Sequence, residues 1–275
     1  MFGKFILFRS LRRLHRLMEQ DPIEDSLRGW SWDKPPIRPR AYLNLGVSQV
    51  AYKYCPTRRD IYLRWNNVKG CRNIFLRNGS LVHEVFHLAN QDVRRELIQG
   101  FSPWMAYENI SRRAVLRLKK VGVNVEKDGW LLDLYKSLTL SWCADKWIGF
   151  ISEYRVDGSP LGLSKNLHVD GLAEGSVVIE IKYGRPYDFH KLGLAGYALA
   201  LECFLEAPFD YGILIYVSNN SSQINVSWEP VYISPYLRKE FLEARDEVID
   251  LILSEREPPI ADFCPESCPY RGVCR

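Results

Sequence analysis

Apolar residues recur at helical spacing in the first half of the chain and at strand spacing after it. Ile6, Leu7, Leu11, Leu14 and Leu17 fall near three or four apart, with Arg9, Arg12, Arg13 and Arg16 between them. Led in by Phe2, Phe5 and Phe8, that pattern predicts a basic amphipathic helix. A secretory signal needs a longer apolar stretch and a small-residue cleavage site. This segment has neither, and the protein is placed in the cytoplasm. Residues 21–47 break the rhythm with Trp30, Trp32, Pro35, Pro36, Pro39 and Gly46, and read as an extended, packed segment. A helix is expected to start at Ser48 and to carry Tyr52 and Cys55 until Pro56 disturbs it. Helices then dominate to about Trp147, and Ser102-Pro103 has the form of a capped helix start.

From Gly149 the period shortens. Residues 150–157, 167–172 and 176–182 are short and rich in β-formers, separated by Gly and Ser turns. A helix over about 187–206 follows, with Leu192, Ala195, Leu199 and Phe204 on one side. The run 211–217 is continuously apolar, as in a strand buried on both faces. Another strand near 224–232 and a helix over about 235–256 complete the body. The β-β-β-α-β order predicts an α/β (α+β) fold: a mixed sheet with flanking helices. No apolar run approaches the ~18 residues that span a bilayer, so no membrane partner is expected.

Composition narrows the picture. At 275 residues and 47% hydrophobic, the chain can build a sizeable core as one large domain or two small ones. The net charge of +4 conceals an asymmetry. Residues 1–77 hold 16 Lys+Arg against 6 Asp+Glu, a net +10, and residues 78–275 hold 21 against 27, a net −6. A basic arm on an acidic body suggests a polyanionic partner, with a solvated basic face as the plain alternative.

Three constellations carry chemistry. The first is Asp170 with Glu180-Ile181-Lys182. Glu180 and Lys182 share one face of an apolar strand, and burying them is costly unless they are paired or bind a metal. A hairpin through 173–176 would bring Asp170 beside Glu180. Two carboxylates suit Mg²⁺ or Mn²⁺, and Lys182 could orient water and neutralise charge on a phosphoryl oxygen. The plain alternative is an exposed Glu–Lys pair on a hairpin. The second constellation is His83-Glu84-Val85-Phe86-His87, which satisfies H-E-x-x-H and admits a zinc metalloprotease with Glu84 as base. No third ligand is evident after His87, and a hydrogen-bonded His87 is the simpler expectation. The third is Cys264, Cys268 and Cys274, spaced C-x3-C-x5-C at the C-terminus. Clustered thiolates in the cytoplasm point to metal rather than disulfide. Three ligands need a fourth, for which Cys55 and then Cys71 are candidates. Both Zn²⁺ and a [4Fe–4S] cluster accept four cysteines. Cys143 and Cys203 read as buried thiols.

Asp170 with Glu180-x-Lys182 resembles the core motif of the PD-(D/E)xK nuclease superfamily. Glu153 matches an acidic position common in its RecB-like branch, and Gly79-Ser80-Leu81-Val82-His83 matches that branch's helical metal-binding histidine. Tyr197 matches the tyrosine that follows a glutamine by four residues on the next helix. The glutamine position itself is Gly193, with His190 or Lys191 as candidate substitutes. An upstream cysteine joined to a C-terminal trio resembles the iron–sulfur nucleases of this group, and Tyr-x-Tyr-Cys-Pro-x-Arg-Arg around Cys55 resembles the CRISPR-associated Cas-four exonucleases, most closely their archaeal Csa-one branch. The trio there is commonly C-x2-C-x5-C, one residue shorter than here.

The resemblance implies a restriction-endonuclease-like core within one RecB-like nuclease domain, 1–275. Its parts would be a helical basic region (1–147), a sheet core (148–256) and an iron–sulfur-binding tail (257–275). It implies a 4Fe-4S cluster on Cys55, Cys264, Cys268 and Cys274, stapling a loop of about two hundred residues. It also implies Mg²⁺ or Mn²⁺ held by His83, Asp170, Glu180 and the carbonyl of Ile181, with Lys182 orienting water and Tyr197 positioning DNA. Arg58, Arg59 and Arg64 are candidate phosphate contacts. The implied activity is exonucleolytic trimming of DNA, preferably single-stranded, during CRISPR adaptation, alongside other adaptation proteins. The remaining alternative is a non-catalytic iron–sulfur-stapled DNA-binding subunit.

Overall fold

The computed structural model describes residues 3–220 and 223–274. Phe2, counted in the apolar lead of the first helix, lies outside them. Helix α1 (Lys4–Gln20) is amphipathic as the spacing requires: Leu7 and Leu14 are buried while Arg9, Arg12, Arg13 and Arg16 are exposed. The Pro- and Trp-rich segment then crosses the body with two single-turn 3-10 helices, Asp25–Leu27 and Gly29–Ser31. Helix α2 (Val47–Ala51) ends before Tyr52, so the expected helix through Cys55 does not form. Pro56 removes an N–H and biases Cys55 away from helical backbone. Cys55 instead opens a turn in which its carbonyl accepts the Arg58 N–H.

Helix α3 (Arg59–Trp65) precedes α4 (Ile74–Ile98), whose first turn is capped by the Asn73 side chain accepting from the Leu76 N–H. Helix α5 (Pro103–Lys120) starts as expected, with Ser102 as cap and Pro103 in the first turn. Helix α6 (Gly129–Ala144) packs on both α4 and α5.

The sheet follows: β1 (Phe150–Val156), β2 (Leu167–Ala173), β3 (Val177–Tyr183), the crossover helix α7 (His190–Leu205), β4 (Tyr211–Asn220) and β5 (Gln223–Tyr232). Helix α8 (Pro235–Leu253) and the short α9 (Arg271–Cys274) end the chain. Among the described residues, five strands lie in sequence order β1-β2-β3-β4-β5. All pairs are antiparallel except β3 with β4, which the α7 crossover makes parallel. The fold is thus a mixed sheet with flanking helices. On one face Val177, Ile179 and Ile181 pack with the α4–α6 layer; on the other Val178 and Leu214 pack with α7 and α8. Strand β4 contributes to both cores, which explains its unbroken apolar run. Among the described residues, no helix is long and apolar enough to cross a membrane.

Candidate active site

Three neighbouring strands bring a carboxylate to the same row. The pairs Ser152↔Gly171 and Tyr154↔Val169 set Glu153 opposite Asp170, and the β2–β3 ladder ends at Gly171↔Ile179, one position before Asp170 and Glu180. Backbone pairing is interrupted on both sides of this row. On β1 the cause is Glu153, whose φ of 55° is left-handed and costs an L-residue about 1–2 kcal/mol. Between β2 and β3 the Asp170 side chain replaces the ladder, its Oδ2 accepting the Ile181 N–H at 2.7 Å.

Above the row, α4 supplies His83, whose Nδ1 is 3.1 Å from Asp170 Oδ1. Burial disfavours charge on both groups, but their mutual attraction outweighs it: His83 is raised and Asp170 lowered from their ordinary values. One ligand atom each from His83, Glu153 and Asp170 lies within 4.8 Å of the others. Glu180 is buried beside them at 3% exposure. Its Oε1 accepts from the Tyr52 hydroxyl at 2.5 Å and from the Lys182 ammonium, while its buried Oε2 has no partner. Burial pushes the Glu180 carboxyl up; Lys182 opposes this and Asp170 adds to it. An imidazole and three carboxylates are a donor set for Mg²⁺ or Mn²⁺, and the unpartnered Oε2 is an acceptor that such an ion would satisfy.

This arrangement adds Glu153 to the expected residues. Glu153, rather than Glu180, completes the tight group with His83 and Asp170. Ile181 enters through its N–H to Asp170. Tyr197 on α7 is half-buried near the row: burial and then the charges of Glu180, Asp170 and Glu153 raise its hydroxyl well above its ordinary value. Neither expected substitute at the glutamine position turns to the carboxylates. His190 is buried between the hydroxyls of Tyr54 (2.8 Å) and Tyr216 (3.3 Å), and Lys191 pairs with Glu229 at 2.7 Å.

The H-E-x-x-H pattern divides. His83 joins the carboxylates, whereas His87 meets Ser152 Oγ through Nδ1 (2.8 Å) and Gln91 through Nε2 (2.8 Å). With both ring nitrogens engaged, His87 is a hydrogen-bonded histidine, in line with the simpler expectation.

A cleft of about 980 Å³ borders the row, lined by His83, Glu153, Asp170 and Lys182 and also by Tyr54, Arg185, Tyr187 and tail residues 265–269. Next to the cleft, Cys55, Cys264, Cys268 and Cys274 line one small pocket, and Cys55 and Cys268 border both. Four thiols from both ends of the chain converge there, a donor set for a [4Fe–4S] cluster or Zn²⁺. Cys71, the other candidate for fourth ligand, is exposed and does not line the pocket. Burial pushes the thiols of Cys143 and Cys203 up to about 12 and about 11; Cys143 is buried as expected, whereas Cys203 is only half-buried.

The expectation of phosphate contacts from Arg58 and Arg59 needs correction. The Arg58 guanidinium donates to the carbonyls of Gln49, Val50 and Tyr52, and Arg59 donates to the Pro258 carbonyl and pairs with Glu257. Both tie the cysteine segment to the body. Arg64 is exposed on α3.

The family model described as CRISPR-associated exonuclease Csa1 matches residues 1–275. A protein of that name from Thermoproteus tenax is 36% identical over 276 residues, covering 97% of each chain. Another from Saccharolobus solfataricus is 31% identical over 273 residues, covering 92% of each. Among solved structures, the crystal structure of SSO0001 overlaps 59% of this chain and 84% of that one, at 16% identity and a TM-score of 0.29. That last overlap is too loose to carry function. The two full-length relatives and the matching family model do carry a conclusion: this chain belongs to the CRISPR-associated exonuclease Csa1 family.

Proposed function

We propose that the chain is a metal-dependent DNA exonuclease that trims single-stranded ends of spacer precursors during CRISPR adaptation. The observation that carries the reading is the row Glu153–Asp170–Glu180 with His83 above it and Lys182 beside it, of which His83, Glu153, Asp170 and Lys182 line one cleft. His83, Glu153, Asp170 and Glu180 would hold Mg²⁺ or Mn²⁺, which when bound activates water and neutralises charge on a phosphoryl oxygen. Lys182 offers its ammonium to the negative charge that develops there. Tyr197 adds a hydroxyl donor near the strand end. The partly exposed Tyr54 on the cleft lining offers an aromatic surface to unpaired bases, which supports a single-stranded substrate. The exposed arginines of α1 and Arg64 favour a polyanion. Membership in a CRISPR-associated family supports work with other adaptation proteins.

The cysteine pocket is assigned to a [4Fe–4S] cluster that joins the N-terminal region to the tail forming the cleft wall. Two measurements test these assignments. Glu180→Gln abolishes Mn²⁺-dependent degradation of end-labelled single-stranded DNA while the protein stays folded; retained cleavage overturns the nuclease assignment. Anaerobically purified protein is brown, absorbs near ~400 nm and holds about four irons per chain; a colourless zinc protein overturns the cluster.

A further inference from the structure

Tyr52 follows α2 and lies 128 residues from Glu180 in sequence, yet its side chain is buried against the carboxylate row, only 7% exposed. Its hydroxyl donates to Glu180 Oε1 at 2.5 Å. Its ring centroid is 4.3 Å from the Lys182 ammonium, which reaches the same Glu180 oxygen. His190 meets the ring edge-on, with centroids 5.5 Å apart, and Phe189 leans on it at 6.1 Å. One phenol therefore touches both charged residues of the E-x-K strand.

The room for that phenol comes from α7. A Cβ at Gly193 would stand 2.5 Å from the Tyr52 hydroxyl oxygen and 3.1 Å from two ring carbons. Gly193 lies inside the helix, where glycine is destabilising by about 0.5–1 kcal/mol relative to alanine. Helical backbone does not ask for glycine there; the space for Tyr52 does.

We propose that Tyr52 is a positioning residue of the nuclease site and that Gly193 is the gap that admits it. The hydroxyl fixes Glu180 through Oε1 and so leaves Oε2 as the oxygen open to a cation. The ring seats Lys182 by attraction of its ammonium to the π face. A segment that precedes the cysteine turn thereby sets the geometry of a strand far along the chain. The inference rests on the nuclease reading above.

Three full-length variants test it: Tyr52→Phe, Gly193→Ala and the two combined. Tyr52→Phe keeps the ring and removes the hydroxyl. Its kcat on single-stranded DNA falls about tenfold or more, as for losing a hydrogen bond to a charged group, with KM within about twofold. Its Mn²⁺ affinity, titrated without DNA, weakens about tenfold. Its melting temperature stays near that of the parent. Gly193→Ala displaces the phenol and loses at least as much activity. The double variant is no worse than Gly193→Ala alone, because the closest conflict is with the deleted oxygen; such non-additivity marks a shared element. Parental kcat and Mn²⁺ affinity in Tyr52→Phe, or losses that multiply in the double variant, overturn the proposal. If Gly193→Ala does not fold, Tyr52→Phe and its Mn²⁺ titration decide alone. Glu180→Gln separates the two levels: if it retains cleavage, the nuclease reading falls. If it abolishes cleavage and Tyr52→Phe is neutral, only the role of Tyr52 falls.

Discussion

Two buried glutamates in this protein have the same side chain and nearly the same burial, and opposite surroundings. Glu202, 0% exposed on α7, accepts five hydrogen bonds: Arg28, Arg238 and the Phe209 N–H meet Oε1, while Arg238 and the Gly29 N–H meet Oε2. Arg238 also donates to the carbonyls of Leu27, Ile233 and Phe209 and, at 3.4 Å, to Asp210. Gly29 comes so close to α7 that a Cβ would stand 1.9 Å from the Leu199 carbonyl oxygen. That network is closed, and it clamps the N-terminal segment to α7 and α8. Glu180, 3% exposed on β3, has one oxygen engaged and one bare. A closed buried charge network holds a fold in one arrangement. An open one carries an uncompensated acceptor, which is expensive in a resting protein and useful in a site that takes a cation.

The contrast breaks first at Glu202. Glu202→Ala leaves the buried Arg238 with only the 3.4 Å contact to Asp210 as counter-ion, and the expected loss is about 3–5 kcal/mol of folding stability, read from chemical denaturation. A loss under about 1 kcal/mol would mean that water enters and replaces the carboxylate.

Glu180→Gln gives the mirror result. Cleavage falls by at least about a hundredfold, equivalent to about 2.7 kcal/mol of activation free energy at 1.36 kcal/mol per decade. Stability holds or rises, because a carboxylate with an unpartnered oxygen has been made neutral. A collapse in stability with Glu180→Gln would make this second charge cluster as structural as the first.

The same division separates what the sequence made legible from what it concealed. The five strands, the crossover helix, Asp170, Glu180, Lys182, His83 and the four pocket-lining cysteines all follow from short-range period or motif spacing. Three features do not. The acidic position of Glu153 is marked by the resemblance, but its place in the tight group with His83 and Asp170 goes with a backbone that turns left-handed within a strand, and no pattern of side chains marks that. Tyr52 acts on Glu180 across 128 residues, through a gap visible only as an unexplained glycine. Arg58 and Arg59 add to a basic count, yet their donors meet carbonyls brought close only by the chain's turns and its C-terminal tail. Charge counts register the cation and miss the acceptor.

Glu153 offers a smaller and sharper test. Its left-handed backbone places strain on a strand that lends a carboxylate to the site. Glycine adopts that conformation freely. Glu153→Gly should therefore stabilise the fold by about 1 kcal/mol while weakening Mn²⁺ binding. A fall in melting temperature would show that β1 needs the glutamate for packing or for its contact with His168 at 3.4 Å.

The smallest effect is expected where charge is neither closed nor buried. Arg9, Arg12, Arg13 and Arg16 stand at i, i+3, i+4 and i+7, one face of α1, opposite the buried Leu7 and Leu14. Among the described residues, none of the four is in an ion pair. Helix α1 packs on β5, at the edge of the sheet away from β1 and the cleft. These arginines can add to DNA affinity only by holding backbone beyond the reacting end. Replacing all four by glutamine should lower single-stranded DNA affinity several-fold at low salt. It should also flatten the slope of log affinity against log salt by about 0.7 for each phosphate that is no longer neutralised. The kcat at saturating DNA stays unchanged, because nothing at the carboxylate row has moved. An unchanged salt slope would make α1 a solvated face, and would leave the +10 of the first 77 residues to the guanidiniums that, like Arg28, Arg58 and Arg59, hold the chain to itself.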